Sequence, residues 1–162
     1  MYHYLFIPTG PIQLAYKGKY RPKNPQKYKG DPTNITYRSL LERRVMVYLD
    51  ITPQILEWQS ELIIIKYISP LDNREHRYFT DFGVKYRKQN NEIGLVIIEV
   101  KPLSQTKPPR MGKKTRRYLK EVSTWLVNDA KWKYARAWCE ANGYEFEIWT
   151  EKMIDKISPK KK

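Results

Sequence analysis

The chain has 162 residues, the size of one domain, and carries 31 Lys and Arg against 17 Asp and Glu, for a net charge of +14. A charge this large on a small domain predicts a polyanionic partner or an acidic surface. One cysteine and two histidines exclude an internal disulfide framework, a cysteine-rich zinc site and a multi-histidine metal site. No apolar run reaches the length of a membrane span, so we expect no membrane partner.

The amino-terminal segment is basic, rich in proline and free of acidic residues up to residue 30. Because proline fixes φ and lacks a backbone donor, neither a continuous helix nor a central strand is predicted here. We interpret residues 1–33 as an extended arm; the alternative is a solvated tail. Tyrosines between the lysines favour an arm on DNA, since rings stack on bases while lysines meet phosphates. Its candidate DNA-binding residues are Lys17, Lys19, Arg21, Lys23, Lys27 and Lys29.

Apolar periodicity and β-branched runs predict the elements of the remaining chain. They are, in order, a helix over residues 36–49 capped by Thr36 or Asn34, a strand over 61–68, a turn at 69–73, a returning strand over 76–84, a strand over 94–101, a helix near 118–126, a second helix over 129–142, a half-buried strand over 144–149 and a short helix. The run at 94–101 is typical of a central strand covered on both faces. The order predicts an α/β (α+β) domain over 34–157, with a mixed central sheet flanked by helices and a basic tail at 158–162.

A second basic block precedes and enters the first of these later helices. It follows three prolines, so we predict that it begins in a loop and runs into the helix. Its candidate DNA-binding residues are Arg110, Lys113, Lys114, Arg116, Arg117 and Lys120.

Carboxylates carry the candidate chemistry. Glu99 and Lys101 are two residues apart on a strand, so their side chains share a face. Asp81 lies near the end of the preceding strand, and pairing of the two strands would bring it beside Glu99. Two close carboxylates repel each other and attract a divalent cation, and oxygen ligands favour Mg²⁺ or Mn²⁺ over zinc. The alternative is a surface ion pair, which is common for Glu-x-Lys on a strand.

Asp81, Glu99-Val100-Lys101 and the upstream helical residue Glu42 together resemble the Asp…Glu-x-Lys motif of the restriction-endonuclease-like superfamily. The segment Lys133-Tyr134-Ala135, followed by the run at 143–151, resembles the subgroup of the Tn7 transposon endonuclease subunit. The resemblance spans residues 36–151. With the basic arm, the whole chain is similar to the head-completion nucleases of T4-type tailed phages.

The resemblance implies a restriction-endonuclease-like core and metal-dependent hydrolysis of phosphodiester bonds in double-stranded DNA. Asp81 and Glu99 would hold Mg²⁺ or Mn²⁺ with the Val100 carbonyl, and Lys101 would position the water. Glu42 would be an outer ligand or a ligand of a second metal. Two weaker candidates are Gln59 and Lys133.

The resemblance also implies a place of action: the host cytoplasm during assembly, or the virion head or neck, where the enzyme would process packaged DNA. Portal or neck proteins are candidate partners, and no small-molecule cofactor is expected. Two other functions stay open. One is a structural head-completion (neck) protein that binds DNA with little or no catalysis, and the other is an RNA-binding protein with a fortuitous Glu-x-Lys.

Overall fold

The structure is a computed structural model that describes residues 17–158. The first half of the predicted arm and residues 159–162 of the predicted tail lie outside the described residues. The elements are β1 (Gly18–Tyr20), β2 (Ile35–Tyr37), α1 (Leu40–Ile51), β3 (Ile55–Ser60), β4 (Ile64–Ile68), β5 (Glu75–Phe79), β6 (Phe82–Arg87), β7 (Ile93–Val100), α2 (Arg116–Asn142), β8 (Glu145–Trp149) and α3 (Glu151–Ile157). None of the helices between residues 17 and 158 has the length and apolarity to cross a membrane.

A mixed four-stranded sheet forms the centre of the domain, with the order β3-β6-β7-β8. β6 is antiparallel to both β3 and β7, whereas β8 is parallel to β7. The last five residues of β7 are all buried, as expected of a strand covered on both faces. The sequence-based prediction of a mixed sheet flanked by helices is therefore confirmed.

Two hydrophobic clusters lie on the two faces of this sheet. On one face, Val45 and Leu49 of α1 and Ile154 of α3 pack with Trp58 and Phe82 of the sheet. On the other face, residues of α2 and of the β4–β5 hairpin pack around Ile97 of β7. Burial of both faces provides the rigid frame on which the carboxyl end of β7 is held.

Two of the predicted helix bounds were wrong. The first helix begins at Leu40 and is capped by Ser39, because residues 35–37 form β2 and pair with β1. The two predicted carboxyl-terminal helices are one helix of 27 residues, α2. No Gly or Pro interrupts α2, and Asn128 at the predicted break is buried, so packing maintains the helix there. Gly143 ends α2 with φ 74°, as predicted.

The predicted strands also differ in their bounds. The returning strand at 76–84 is two strands: β5 pairs with β4, and β6 joins the central sheet. The break falls at Thr80, which is buried and bonds the Ile63 carbonyl through both its N–H and its hydroxyl. The strand predicted from residue 61 begins at Ile64, because Glu61 has φ 56° and turns the chain out of β3. β3 itself was not predicted.

The described part of the basic segment is docked on the domain. Tyr20 is buried, and its hydroxyl donates to Asp50 Oδ2 at 2.9 Å. The backbone N–H groups of Lys23 and Asn24 also donate to the Asp50 carboxylate, at 2.6 and 2.9 Å. The Lys27 ammonium donates to the carbonyl of Asp50 at 2.9 Å and to that of Thr52 at 2.7 Å. From Gly18 onward the segment is thus part of the fold, and the predicted boundary at 33/34 falls inside the β1–β2 hairpin.

Candidate active site

The pairing of β6 with β7 places the acidic residues side by side. Phe82 lies opposite Ile98 in an antiparallel register, so Asp81, one residue before β6, lies next to Glu99. Asp81 Oδ2 accepts a hydrogen bond of 2.7 Å from the Val100 N–H. The Lys101 ammonium lies 3.0 Å from Glu99 Oε1. The structure thus brings Asp81, Glu99 and Lys101 together at the carboxyl end of β7.

Burial dominates the electrostatics of the two carboxylates. Glu99 is only 2% exposed, and it accepts a hydrogen bond from the Tyr78 hydroxyl as well as the contact from Lys101. Burial and then the negative charge of Glu99 raise the pKa of Asp81 well above its ordinary value, although Lys101 and the Val100 N–H act in the opposite direction. The same burial and the same carboxylate raise the pKa of Tyr78, so this phenol stays a donor to Glu99. Burial and the neighbouring carboxylate thus disfavour the charged form of Asp81 in the absence of a cation.

Lys101 remains an ammonium at this position. Burial alone would lower its pKa, but the charges of Glu99 and Asp81 outweigh burial and raise the pKa of Lys101. A protonated lysine donates hydrogen bonds and accepts none. Lys101 can therefore hold Glu99 and orient a water molecule, but it does not take the proton from that water.

The oxygen donors at this end of β7 fit a hard divalent cation. Asp81 and Glu99 offer two carboxylates, and the expected third donor is the Val100 carbonyl. Mg²⁺ binds through one or two carboxylates and keeps several waters, so this donor set is sufficient for it. The placement of Asp81 beside the buried carboxylate of Glu99 is the observation that favours a cation here.

Glu42 lies in the first turn of α1 and forms a capping box. Its carboxylate accepts from the Arg38 N–H at 2.7 Å and from the Ser39 hydroxyl at 3.1 Å, while Ser39 Oγ accepts from the Glu42 N–H at 3.1 Å. Its charge still raises the pKa of both Asp81 and Lys101, so the carboxylate lies within electrostatic range of them. Across residues 17–158, however, no three His, Cys, Asp or Glu side chains converge in a group that could hold a metal. A metal-ligand role for Glu42 stays a prediction, and its observed role is to cap α1.

The structure gives the two weaker candidates other contacts. Gln59 sits on β3 opposite Gly83, and a Cβ on Gly83 would lie only 2.8 Å from Gln59 Nε2, so the side chain packs across that glycine. Lys133 is exposed on α2 and pairs with Asp129 at 2.8 Å. Neither contact involves the acidic pair.

Two residues at the site, Tyr78 and Lys131, were not predicted from the sequence. Tyr78 lies on β5 and holds Glu99. The Lys131 ammonium of α2 lies 5.5 Å from the Tyr78 ring centroid, and burial lowers the pKa of Lys131, while Glu99 acts in the opposite direction. A signal for Lys131 was present: it is four residues before Ala135 and eight before Cys139, on the buried stripe of α2.

The predicted DNA-binding residues divide into two sets by their contacts. Those of the second block are exposed, and Arg117 and Lys120 line a cleft of about 520 Å³ between the loop after β7 and α2, together with Trp125. Glu151 holds this loop by accepting the Leu103 N–H at 2.8 Å. In the first block most side chains are exposed, but the ammonium of Lys27 is engaged by two backbone carbonyls. The structure thus gives Lys27 a structural contact in place of a free ammonium for phosphate.

Comparisons with known proteins agree with this arrangement. Residues 52–151, more than half of the chain, match the family described as TnsA-like endonuclease N terminal. The head completion nuclease of Enterobacteria phage T4 is 40% identical over 145 residues, which cover 85% of this chain and 93% of that protein. The matched range contains the paired acids, Lys101 and all of α2 and β8. The chain therefore belongs to the family of TnsA-like endonuclease amino-terminal domains.

Proposed function

We propose that this protein is a divalent-metal-dependent DNA endonuclease that acts in phage head completion. Membership of an endonuclease family and the head completion nuclease named among its relatives support the reaction and the biological role. The observation that carries the metal-dependent mechanism is the placement of Asp81 beside the buried Glu99 and Lys101. With a cation bound, these three residues would supply two metal ligands and a donor that orients the attacking water.

Each side chain of the site has a distinct task in this mechanism. Asp81, Glu99 and the Val100 carbonyl would hold Mg²⁺ or Mn²⁺, which would supply Lewis acidity toward the phosphate oxygens. Lys101 donates to the attacking water and orients it toward the phosphorus atom. Tyr78 fixes the Glu99 carboxylate through its hydroxyl, which keeps the ligand from rotating away.

Double-stranded DNA is the proposed substrate, and its phosphates are the groups recognised. The net charge of +14 and the exposed residues of the second basic block provide non-specific phosphate contacts. The proposed place of action is the host cell during particle assembly, with the finished head or neck as a second location. Portal or neck proteins are the proposed partners there.

The decisive experiment measures nicking of supercoiled plasmid with Mg²⁺ or with EDTA. We expect cleavage with Mg²⁺ only, and we expect Asp81→Asn and Glu99→Gln to abolish cleavage while DNA binding persists. Glu145→Gln is the matched control, because Glu145 is an exposed carboxylate on the neighbouring strand β8. Undiminished cleavage by either site variant, or equal cleavage in EDTA, would refute the mechanism. Binding of DNA without any nicking by the wild type would instead support a structural head-completion role.

A further inference from the structure

Lys131 occupies an unusual place on α2. It shares the helix stripe of Ala135 and Cys139, which are 0% and 2% exposed and pack on the sheet. Helical side chains lean toward the amino terminus of their helix. α2 runs back along the sheet from the loop that follows β7, so its amino-terminal direction is that of the acidic pair. The stem of Lys131 is therefore directed toward the end of β7 where Asp81 and Glu99 lie.

The contacts of Lys131 are aromatic. Its ammonium lies 5.7 Å from the ring centroid of Tyr67 and 5.5 Å from that of Tyr78. Within the described range of the chain, no carboxylate lies within 4.0 Å of this ammonium, whereas Lys101 is paired with Glu99. The two rings restrict the lysine, and its ammonium donates to no acceptor among residues 17–158. A half-buried ammonium with free donors is suited to bind an anion.

The charge balance of the site indicates which anion that is. When Asp81 and Glu99 are both ionised, as metal binding requires, Lys101 and Lys131 match their two negative charges. A divalent cation then leaves an excess of two positive charges. A phosphodiester brings one negative charge, and negative charge on its oxygens builds up further during cleavage. Once a metal is bound, Lys131 is not needed to neutralise the acids, and its positive charge is available to pair with the negative charge of the phosphate.

We propose that Lys131 is a phosphate-binding catalytic residue, whose ammonium donates to a non-bridging oxygen of the phosphodiester that is cleaved. The inference rests on the proposed nuclease function and adds a residue to it. The rings of Tyr67 and Tyr78 hold the ammonium in place. The Tyr78 hydroxyl also donates a hydrogen bond to Glu99, so the same side chain contacts both Lys131 and the acidic pair. Lys101 and Lys131 therefore have different partners: Lys101 donates to the attacking water, and Lys131 donates to the phosphate.

The test uses the full chain with Lys131→Met, which keeps the apolar stem and removes the charge. Lys66→Met is the control, because Lys66 precedes Tyr67 on β4 but is exposed and pairs with Glu75 at 2.9 Å. We expect Lys131→Met to slow plasmid nicking at saturating Mg²⁺ by about 10²-fold, as does loss of a single donor to a transition-state oxyanion. We expect Lys66→Met to nick at the wild-type rate.

A second readout is independent of cleavage. In an Asp81→Asn background, which binds DNA without cutting it, affinity is measured against salt concentration. Loss of one phosphate contact flattens the slope of log affinity against log salt by about 0.9. We expect that change for Lys131→Met, whereas a purely structural lysine would leave the slope unchanged and lower the melting temperature.

The outcomes separate this inference from the proposed function. If the wild type nicks DNA and Lys131→Met matches it in rate and slope, the inference is overturned and the nuclease stands. If the wild type does not nick, the proposed function fails, and an unchanged slope overturns the inference as well. If Lys131→Met does not fold, Lys131→Gln replaces it, and failure of both to fold would show that the charge is structural.

Discussion

A single buried carboxylate, Asp50, anchors the basic segment to the end of α1, and removing it should destabilise the whole domain. Asp50 is 0% exposed. It accepts three hydrogen bonds from residues that precede it by 26 to 30 positions: the Tyr20 hydroxyl and the N–H groups of Lys23 and Asn24. Asp50→Ala leaves all three donors without their acceptor.

The expected magnitude follows from these three bonds. Each buried donor left unsatisfied costs about 1–3 kcal/mol, and donors near the surface regain part of that from water. Tyr20 is buried, whereas the two N–H groups are only partly so. We therefore expect Asp50→Ala to lower the free energy of unfolding by about 3–5 kcal/mol.

Urea unfolding followed by tryptophan fluorescence measures this loss, because Trp58 packs against Tyr20 with a centroid distance of 6.0 Å. Tyr20→Phe is the matched control: it removes one hydroxyl and should cost only about 0.5–1.5 kcal/mol. A loss below about 1 kcal/mol for Asp50→Ala would show that water replaces the carboxylate at all three donors, which would refute the docking of this segment as a stabilising contact.

Four further outcomes test separate contacts. Glu42→Gln keeps the capping box and should leave the melting temperature within about 2 °C of wild type; a loss of cleavage at that stability would support a metal role for the carboxylate. Without metal, Asp81→Asn should melt above wild type at neutral pH, because burial and Glu99 raise the pKa of Asp81 and so oppose its charged form. That gain should shrink as the pH falls through the raised pKa of folded Asp81 and vanish below 3.8, where folded and unfolded Asp81 are both protonated. Lys27→Met should lower stability by about 1–3 kcal/mol without changing the salt slope of DNA binding, whereas Lys23→Met should flatten the slope and leave stability unchanged. Burial raises the pKa of Cys139 to about 11, so iodoacetamide at pH 8 should modify it only after unfolding.

Much of the fold could be predicted where one local property dominates. The apolar run of β7 indicates a central strand whatever its neighbours are. Gly143 marks the end of α2 because the residue after the helix adopts the left-handed conformation, which glycine tolerates best. The start of α1 could not be predicted in the same way. Thr36 and Ser39 are both good caps, and the choice was decided by pairing of residues 35–37 with β1, which no local pattern indicates.

The candidate site shows the same division. Asp81, Glu99 and Lys101 come from two strands that are neighbours in sequence and in the sheet, so spacing alone predicted their juxtaposition. Tyr78 and Lys131 reach the site from a hairpin and a helix that pack on the sheet, and such packing is visible only in three dimensions. The docking of the basic segment was not predicted either, because its charges indicate a polyanionic partner and give no sign that Tyr20 and Lys27 make contacts within the domain. DNA binding by its exposed lysines stays a prediction.

A proton and the proposed cation would compete for the carboxylates of this site. Burial and Glu99 raise the pKa of Asp81, so protonation of Asp81 and binding of the proposed cation would be alternative ways to relieve the repulsion of the two carboxylates. Binding of the cation must then expel the proton, and cation affinity should rise with pH until Asp81 is fully ionised. Lys101 sets no limit in that range, since the two acids hold its pKa above the ordinary value of 10.5. Cleavage at limiting Mg²⁺ should therefore fall on the acidic side through loss of the metal, and excess Mg²⁺ should restore the rate there. A rate that falls equally at low pH under saturating Mg²⁺ would show that the titrating group acts in the chemical step instead.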